Sequence, residues 1–185
     1  FEDGLTFTQS VVGGSVPKGY YPAVEKGLLE AMEKGVLAGF PVVSLAADLF
    51  DGSYHDVDSN EISFKLAANL AYKDGIPKAN PVLLEPVGEL QVIVPDDYVG
   101  DIMGDLNKRR GRVLGMNPTG NGKQIIEAEI PMMELYGYCT VLRSMTGGRG
   151  IYEYEFVRYE QTPKDIQDAE VAARAAKVAA NNEEA

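Results

Sequence analysis

From residue 83 to residue 159 the apolar side chains follow an order of periods that few folds can satisfy. Alternation by two marks a strand with one buried face, and steps of three and four mark a helix with one buried stripe. Residues 83–94 predict a strand, with Pro86 and Gly88 making its start irregular. Pro95-Asp96-Asp97 opens a helix carrying Val99, Ile102, Met103 and Leu106. Acids in its first turn and Lys108-Arg109-Arg110 in its last suit the helix dipole. Residues 112–118 and 123–131 predict two strands joined by the turn Thr119-Gly120-Asn121-Gly122. Residues 132–145 predict a helix, 147–150 a glycine-rich turn, and 151–159 a last strand with Glu153 and Glu155 pointing outward.

That order, βαββαβ, is the ferredoxin-like or split βαβ unit, for which right-handed crossovers are the expectation. The first half reads differently. Residues 5–12 predict a strand ending at Gly13-Gly14, followed by a helix over about 17–34 with Tyr21, Val24, Leu28 and Met32 on one face. Pro17 fits the first turn of that helix. Residues 40–50 predict a second strand, with Asp51-Gly52-Ser53 as its turn. Asp58 and Glu61 form a capping-box pattern for a helix whose core face is Ile62, Leu66 and Leu70, stopped by Gly75 and Pro77. The fold class is therefore α+β, with domains at 1–80 and 81–160. Residues 161–185 turn to Ala, Asn and Glu with little to bury, and predict a flexible, acidic, Ala-rich tail.

Charge narrows the chemistry. The 185 residues carry 17 Lys and Arg against 28 Asp and Glu, a net charge of −11, and the excess of acid is present in both halves and the tail. Such a chain does not wrap nucleic acid non-specifically, which needs basic surface, although a local RNA contact stays open. One cysteine, Cys139, excludes an internal disulfide and a Cys-based zinc site and suits a reducing compartment; its helical position predicts a small core residue. No apolar run approaches the roughly 20 residues of a membrane span, no leader pattern is present, and the chain opens on Phe1 as a piece of something longer would.

Catalytic motifs are missing. There is no phosphate-binding G-x-x-x-x-G-K-[ST] loop, and Gly147-Gly148-Arg149-Gly150 runs from helix to strand, the reverse of the phosphate-binding order. His55 is the single histidine, and turn and cap roles explain the adjacent Asp56 and Asp58. Two loops are more suggestive. Gly13-Gly14-Ser15 and Ser53-Tyr54-His55-Asp56 each join a strand end to a helix start. With the strands parallel, both emerge at one end, where backbone amides, an aromatic face and an imidazole can meet RNA without a basic field. Two ordinary strand-to-helix loops are the plainer reading.

Five blocks carry a resemblance: VVGGSVPKGYYPAVEKGLLEAMEKGVLAGFPV (11–42), LFDGSYHDVDSNEISFKLAA (49–68), ANPVLLEP (79–86), DDYVGDIMGDLNKRRGRVLGM (96–116) and LYGYCTVLRSMTGGRGIYEYEF (135–156). In order and spacing they closely resemble bacterial elongation factor G, from about residue 4 to 163, over most of its fourth domain and all of its fifth. The resemblance implies a ribosomal-protein-S5-domain-2-like fourth domain with a left-handed βαβ crossover, followed by a ferredoxin-like fifth. It implies a parent that translocates tRNA and mRNA with GTP and Mg2+ bound in another domain, and no cofactor, metal or GTPase site in these residues. The residues matching the family's tip, which enters the small-subunit decoding centre, are Gly13, Gly14, Ser15, Val16, Pro17 and Lys18 with Ser53, Tyr54, His55 and Asp56. Lys108, Arg109, Arg110, Arg112, Arg143 and Arg149 are candidate large-subunit RNA contacts near the GTPase-associated region.

The implied partners are the ribosome, tRNA–mRNA and, for the parent, ribosome recycling factor, with a cytoplasmic, monomeric protein and no membrane. Val141 and Cys139 depart from the family pattern, so a paralogue specialised in recycling or ribosomal protection is an alternative. A ferredoxin-like regulatory protein binding a small molecule is another, of a different class.

Overall fold

The computed structural model describes residues 4–183, with side chains described through Ala179. The chain divides into two units: Leu83 and the residues before it together with Pro163 and those after it, and Leu84–Thr162 between them.

The first unit is built from β1 (Leu5–Gln9), α1 (Tyr21–Met32), β2 (Leu45–Leu49) and α2 (Glu61–Gly75). β1 and β2 pair in parallel, Leu5 opposite Leu45 through Gln9 opposite Leu49. The second strand is shorter than expected. After α1 the chain turns back on itself, with the Gly35 amide donating to the Phe40 carbonyl and the Val42 amide to the Met32 carbonyl. Ser44, at φ 57°, ends that loop and delays β2 to Leu45.

The predicted core face of α2 is corrected. Ile62, Leu66 and Leu70 are 69%, 54% and 67% exposed, and the stripe two residues further on, Phe64, Ala68 and Tyr72, is buried. α1 approaches so closely at Gly27 that an added Cβ would lie 2.6 Å from the Lys65 carbonyl oxygen and 3.0 Å from Ala68 Cβ. Only the face carrying alanine at that level fits. The cap differs as well: Asn60 Oδ1 accepts from the Ser63 amide at 2.9 Å while Ser63 Oγ accepts from the Asn60 amide at 2.8 Å, in place of Asp58 and Glu61.

In the second unit β3 (Leu84–Pro95), α3 (Val99–Lys108), β4 (Arg112–Pro118), β5 (Lys123–Pro131), α4 (Tyr138–Thr146) and β6 (Ile151–Gln161) follow the predicted order. The sheet runs β4-β5-β3-β6 and every neighbouring pair is antiparallel. Its two central strands bury Leu90, Val92 and Val94 and, from β5, Ile126, Ala128 and Ile130, against Ile102 and Leu106 of α3 and Tyr138 and Leu142 of α4. The helix expected over 132–145 is interrupted. Met132–Leu135 form a 3-10 turn, and α4 starts only after Gly137, at φ 71°. Cys139 is exposed rather than part of the core, because Tyr138 and Leu142 hold the buried face of α4.

The tail expected to be solvated forms α5 (Lys164–Glu183) and groups with the first unit. Gln167 Oε1 accepts from the Leu83 amide at 2.9 Å, and the Arg174 guanidinium lies 3.9 Å from the centre of the Phe40 ring. Alanine propensity makes the helix, and these two polar anchors dock it where apolar side chains are few.

Candidate functional site

Parallel pairing sends β1 and β2 out at the same end, and the ladder continues one step beyond them, from the Ser10 amide to the Leu49 carbonyl at 2.9 Å. Asp48 is held there by the Thr8 and Ser10 hydroxyls, both donating to its carboxylate. Past this point the first loop turns through Gly13 and Gly14, at φ 74° and 71°, a region glycine enters without the Cβ penalty. Both are exposed. Val16, one of the expected contact residues, turns inward and is 1% exposed, so it anchors the loop instead. Ser15 Oγ is buried with no hydrogen-bond partner among the described residues. Pro17 is extended, and its carbonyl accepts from the Tyr20 amide at 3.0 Å, closing a 3-10 turn over Lys18–Tyr20 that leaves Lys18 exposed.

The second loop is built by short-range hydrogen bonds. Asp51 Oδ1 accepts from the Gly52 amide at 2.8 Å. The His55 amide donates to Ser59 Oγ at 2.9 Å, and the His55 carbonyl accepts from the Asp58 and Ser59 amides at 3.2 and 2.9 Å. His55 therefore opens a closed turn that leads directly into the α2 cap. Ser53, Tyr54, His55 and Asp56 are all exposed, and with Val57 and Asp58 the last three line an open concavity. Hydrogen bonding to the Asp56 carboxylate pushes the Tyr54 phenol above its ordinary value. The imidazole itself makes no hydrogen bond or ion pair among the described residues. The ten residues expected at the tip thus converge on one end of the first unit, seven exposed, Ser15 and Pro17 half-buried and Val16 as their anchor.

The cations of the second unit divide. Arg110, at φ 60°, donates from Nη1 and Nη2 to both oxygens of buried Glu85 at 2.8 Å each, and from Nε to Glu134 at 2.8 Å. Arg109 pairs with Asp105 at 2.9 Å, donates to the Glu134 carbonyl and lies 5.1 Å from the centre of the Tyr138 ring. Both guanidiniums are consumed inside the unit, so the cluster at the end of α3 offers less charge than its sequence does. Arg112 is exposed but pairs with Glu129, and Arg149 is exposed over the Tyr98 ring. Lys108 and Arg143 are exposed and make no ion pair among the described residues. No group of three or more His, Cys, Asp or Glu side chains among the described residues could hold a metal ion, and no described helix is long and apolar enough to cross a membrane.

Comparison with known families decides what the two units are. Residues 1–80 match the family model of elongation factor G domain IV, and residues 82–170 match that of the elongation factor G C-terminus. The chain belongs to the elongation factor G family. It is also similar to a crystal structure of a protein from Thermus thermophilus, with 42% sequence identity and a TM-score of 0.81. That match covers 95% of this chain and 26% of the other, so the sequence spans a minor part of that protein's length.

In elongation factor G terms the paired loops lie in the part matching domain IV, and the arginine-rich turn in the C-terminal part. Of the residues that shape the loops, Gly52 was expected as part of a turn and Val16 as a contact residue, whereas Ser59 and Tyr20 were not expected and carry no recognisable motif. A serine four residues after an exposed histidine is the nearest thing to a signal, because short polar side chains such as serine's accept from nearby backbone amides and close turns.

Proposed function

We propose that this chain is the ribosome-engaging C-terminal portion of an elongation factor G that catalyses GTP-dependent movement of tRNA and mRNA. In this reading the Gly13–Lys18 and Ser53–Asp56 loops enter the decoding centre of the small subunit, and nucleotide chemistry belongs to the domain that binds GTP and Mg2+ elsewhere in the full-length protein. Exposed Lys108, Arg112, Arg143 and Arg149 face the large subunit near the GTPase-associated region, and ribosome recycling factor is a partner of the same protein in the cytoplasm.

The observation that carries the reading is the free imidazole of His55 on a closed, exposed turn at the shared end of two parallel strands. Acids share its concavity: exposed Asp56 and Asp58 line it with His55. A surface of that sign repels phosphate, so the tip works by shape and by hydrogen bonds to bases or sugars rather than by gripping the backbone. Weak attraction also suits a domain that must leave after each step.

The test is His55→Ala in the full-length protein on programmed ribosomes. Translocation should slow by roughly tenfold or more, the scale on which misplaced groups lower rates, while ribosome-stimulated GTP hydrolysis stays near wild type. Equal loss of both would remove His55 from the tip and the reading with it.

A further inference from the structure

We propose that Tyr20 and Val16 are positioning residues for the His55 loop, holding it in one conformation before it meets RNA. This rests on the reading of that loop as the ribosome-contacting tip. The backbone ladder between the two strands ends at Ser10 and Leu49, so nothing in the sheet fixes residues beyond it. Two side-chain tethers do.

The first tether is an aromatic stack. The Tyr54 ring lies 5.8 Å from Tyr20, and the Tyr20 ring lies 4.6 Å from Phe64 at an interplanar angle of 22°. Phe64 is buried on α2, so the stack runs from the core, through the 3-10 turn that follows the first loop, to the residue preceding His55. Stacked rings hold a loop cheaply, because each has few rotamers to lose.

The second tether is steric. Val16 is buried, and its Cγ2 would lie 2.5 Å from a Cβ added to Gly52. The second loop therefore rests its backbone directly on the valine of the first, and β-branching leaves that side chain little freedom to move aside. Together these contacts bind both loops to the α1–α2 core at Tyr20 and Val16 while leaving His55 bare.

The experiment compares Tyr20→Leu, Tyr20→Phe and Gly52→Ala, first by amide hydrogen exchange in the 185-residue chain. In Tyr20→Leu the amides of residues 53–59 should exchange roughly tenfold faster with α1 and α2 unchanged, and Tyr20→Phe, which keeps the ring, should behave as wild type. Gly52→Ala should produce the same local rise from the other tether, and it decides the matter if Tyr20→Leu does not fold. No local rise in either variant, or a rise spread over the whole first unit, overturns the inference.

In the full-length protein Tyr20→Leu should slow translocation with GTP hydrolysis kept, and Tyr20→Phe should restore it. A loosened loop with unchanged translocation overturns the positioning role. If His55→Ala also translocates normally, the tip reading itself fails, and the exchange data still judge whether the tethers order the loop.

Discussion

The two units hold their candidate contact surfaces in opposite ways. In the second, the backbone does the work: four antiparallel strands cross-bond, the central pair are buried on one face, and Arg110 and Arg112, which look available in sequence, are tied to Glu85, Glu134 and Glu129. In the first, a parallel pair of five-residue strands supports two loops that extend past its last hydrogen bond. Order there comes from side chains: Phe64 under Tyr20, Val16 under Gly52, Ser59 under His55. A sheet that closes its own ladder can leave its face plain, whereas a loop site needs a packed support beneath it.

The comparison is broken most severely at Phe64. Phe64→Ala removes a buried ring and the base of the aromatic stack, and should destabilise the first unit by about 3–5 kcal/mol. Leu66→Ala, two residues along the same helix but on its exposed side, should cost less than about 1 kcal/mol. Denaturant unfolding of both variants measures the contrast. Equal costs would show that α2 packs through its other stripe.

A smaller effect is expected at the arginine-rich turn. Glu85→Ala leaves Arg110 with Glu134 alone, and Arg110 is only 26% exposed at its side chain. Losing one partner of a half-buried pair should destabilise the second unit by about 2 kcal/mol, less than for a fully buried pair because water reaches the guanidinium. An unchanged unfolding midpoint would mean the turn is held by its backbone, with the Gly111 amide on the Leu106 carbonyl at 2.8 Å.

What the sequence revealed follows the same division. The strands 112–118 and 123–131 have the predicted bounds, since alternation and a hairpin turn are both local signals and the pairing follows from them. The α2 face was not legible in that way. Ile62, Leu66, Leu70 and Phe64, Ala68, Tyr72 are two apolar stripes with the same four-residue spacing, and periodicity treats them alike. The choice is made by Gly27 on another helix, where close approach admits alanine and excludes leucine. At the site, the convergence of the two loops followed from parallel strands, and His55 stood out through the family resemblance. Tyr20 did not stand out, because it sits in a 3-10 turn outside helical periodicity, and Val16 was expected as a contact residue rather than a buried anchor, since nothing local shows that Gly52 lies against it. Likewise the paired state of Arg110 depends on Glu85 and Glu134, which are 25 and 24 residues from it in sequence.

The smallest effect separates ion pairs from core in the second unit. Glu129 on β5 accepts from both terminal nitrogens of Arg158 on β6, at 2.9 and 3.0 Å, and from Arg112 on β4. Hydrogen bonds from Arg158 first, then Arg112, hold its carboxyl down at about 2 from an ordinary 4.5. A folded-state value below the unfolded one means the stabilisation is complete above pH about 4.5 and is lost as pH falls toward about 2. Because the group lies near water, its contribution is modest and salt weakens it further. Glu129→Gln should therefore flatten the acid limb of the stability curve between those values and reduce its salt dependence, and lower stability at neutral pH by the same modest amount. An acid limb unaltered by the substitution would show that β4, β5 and β6 are held by their ladders, through β3 between the last two, and by the apolar face alone, with the glutamate bridging two arginines that the sheet already holds in place.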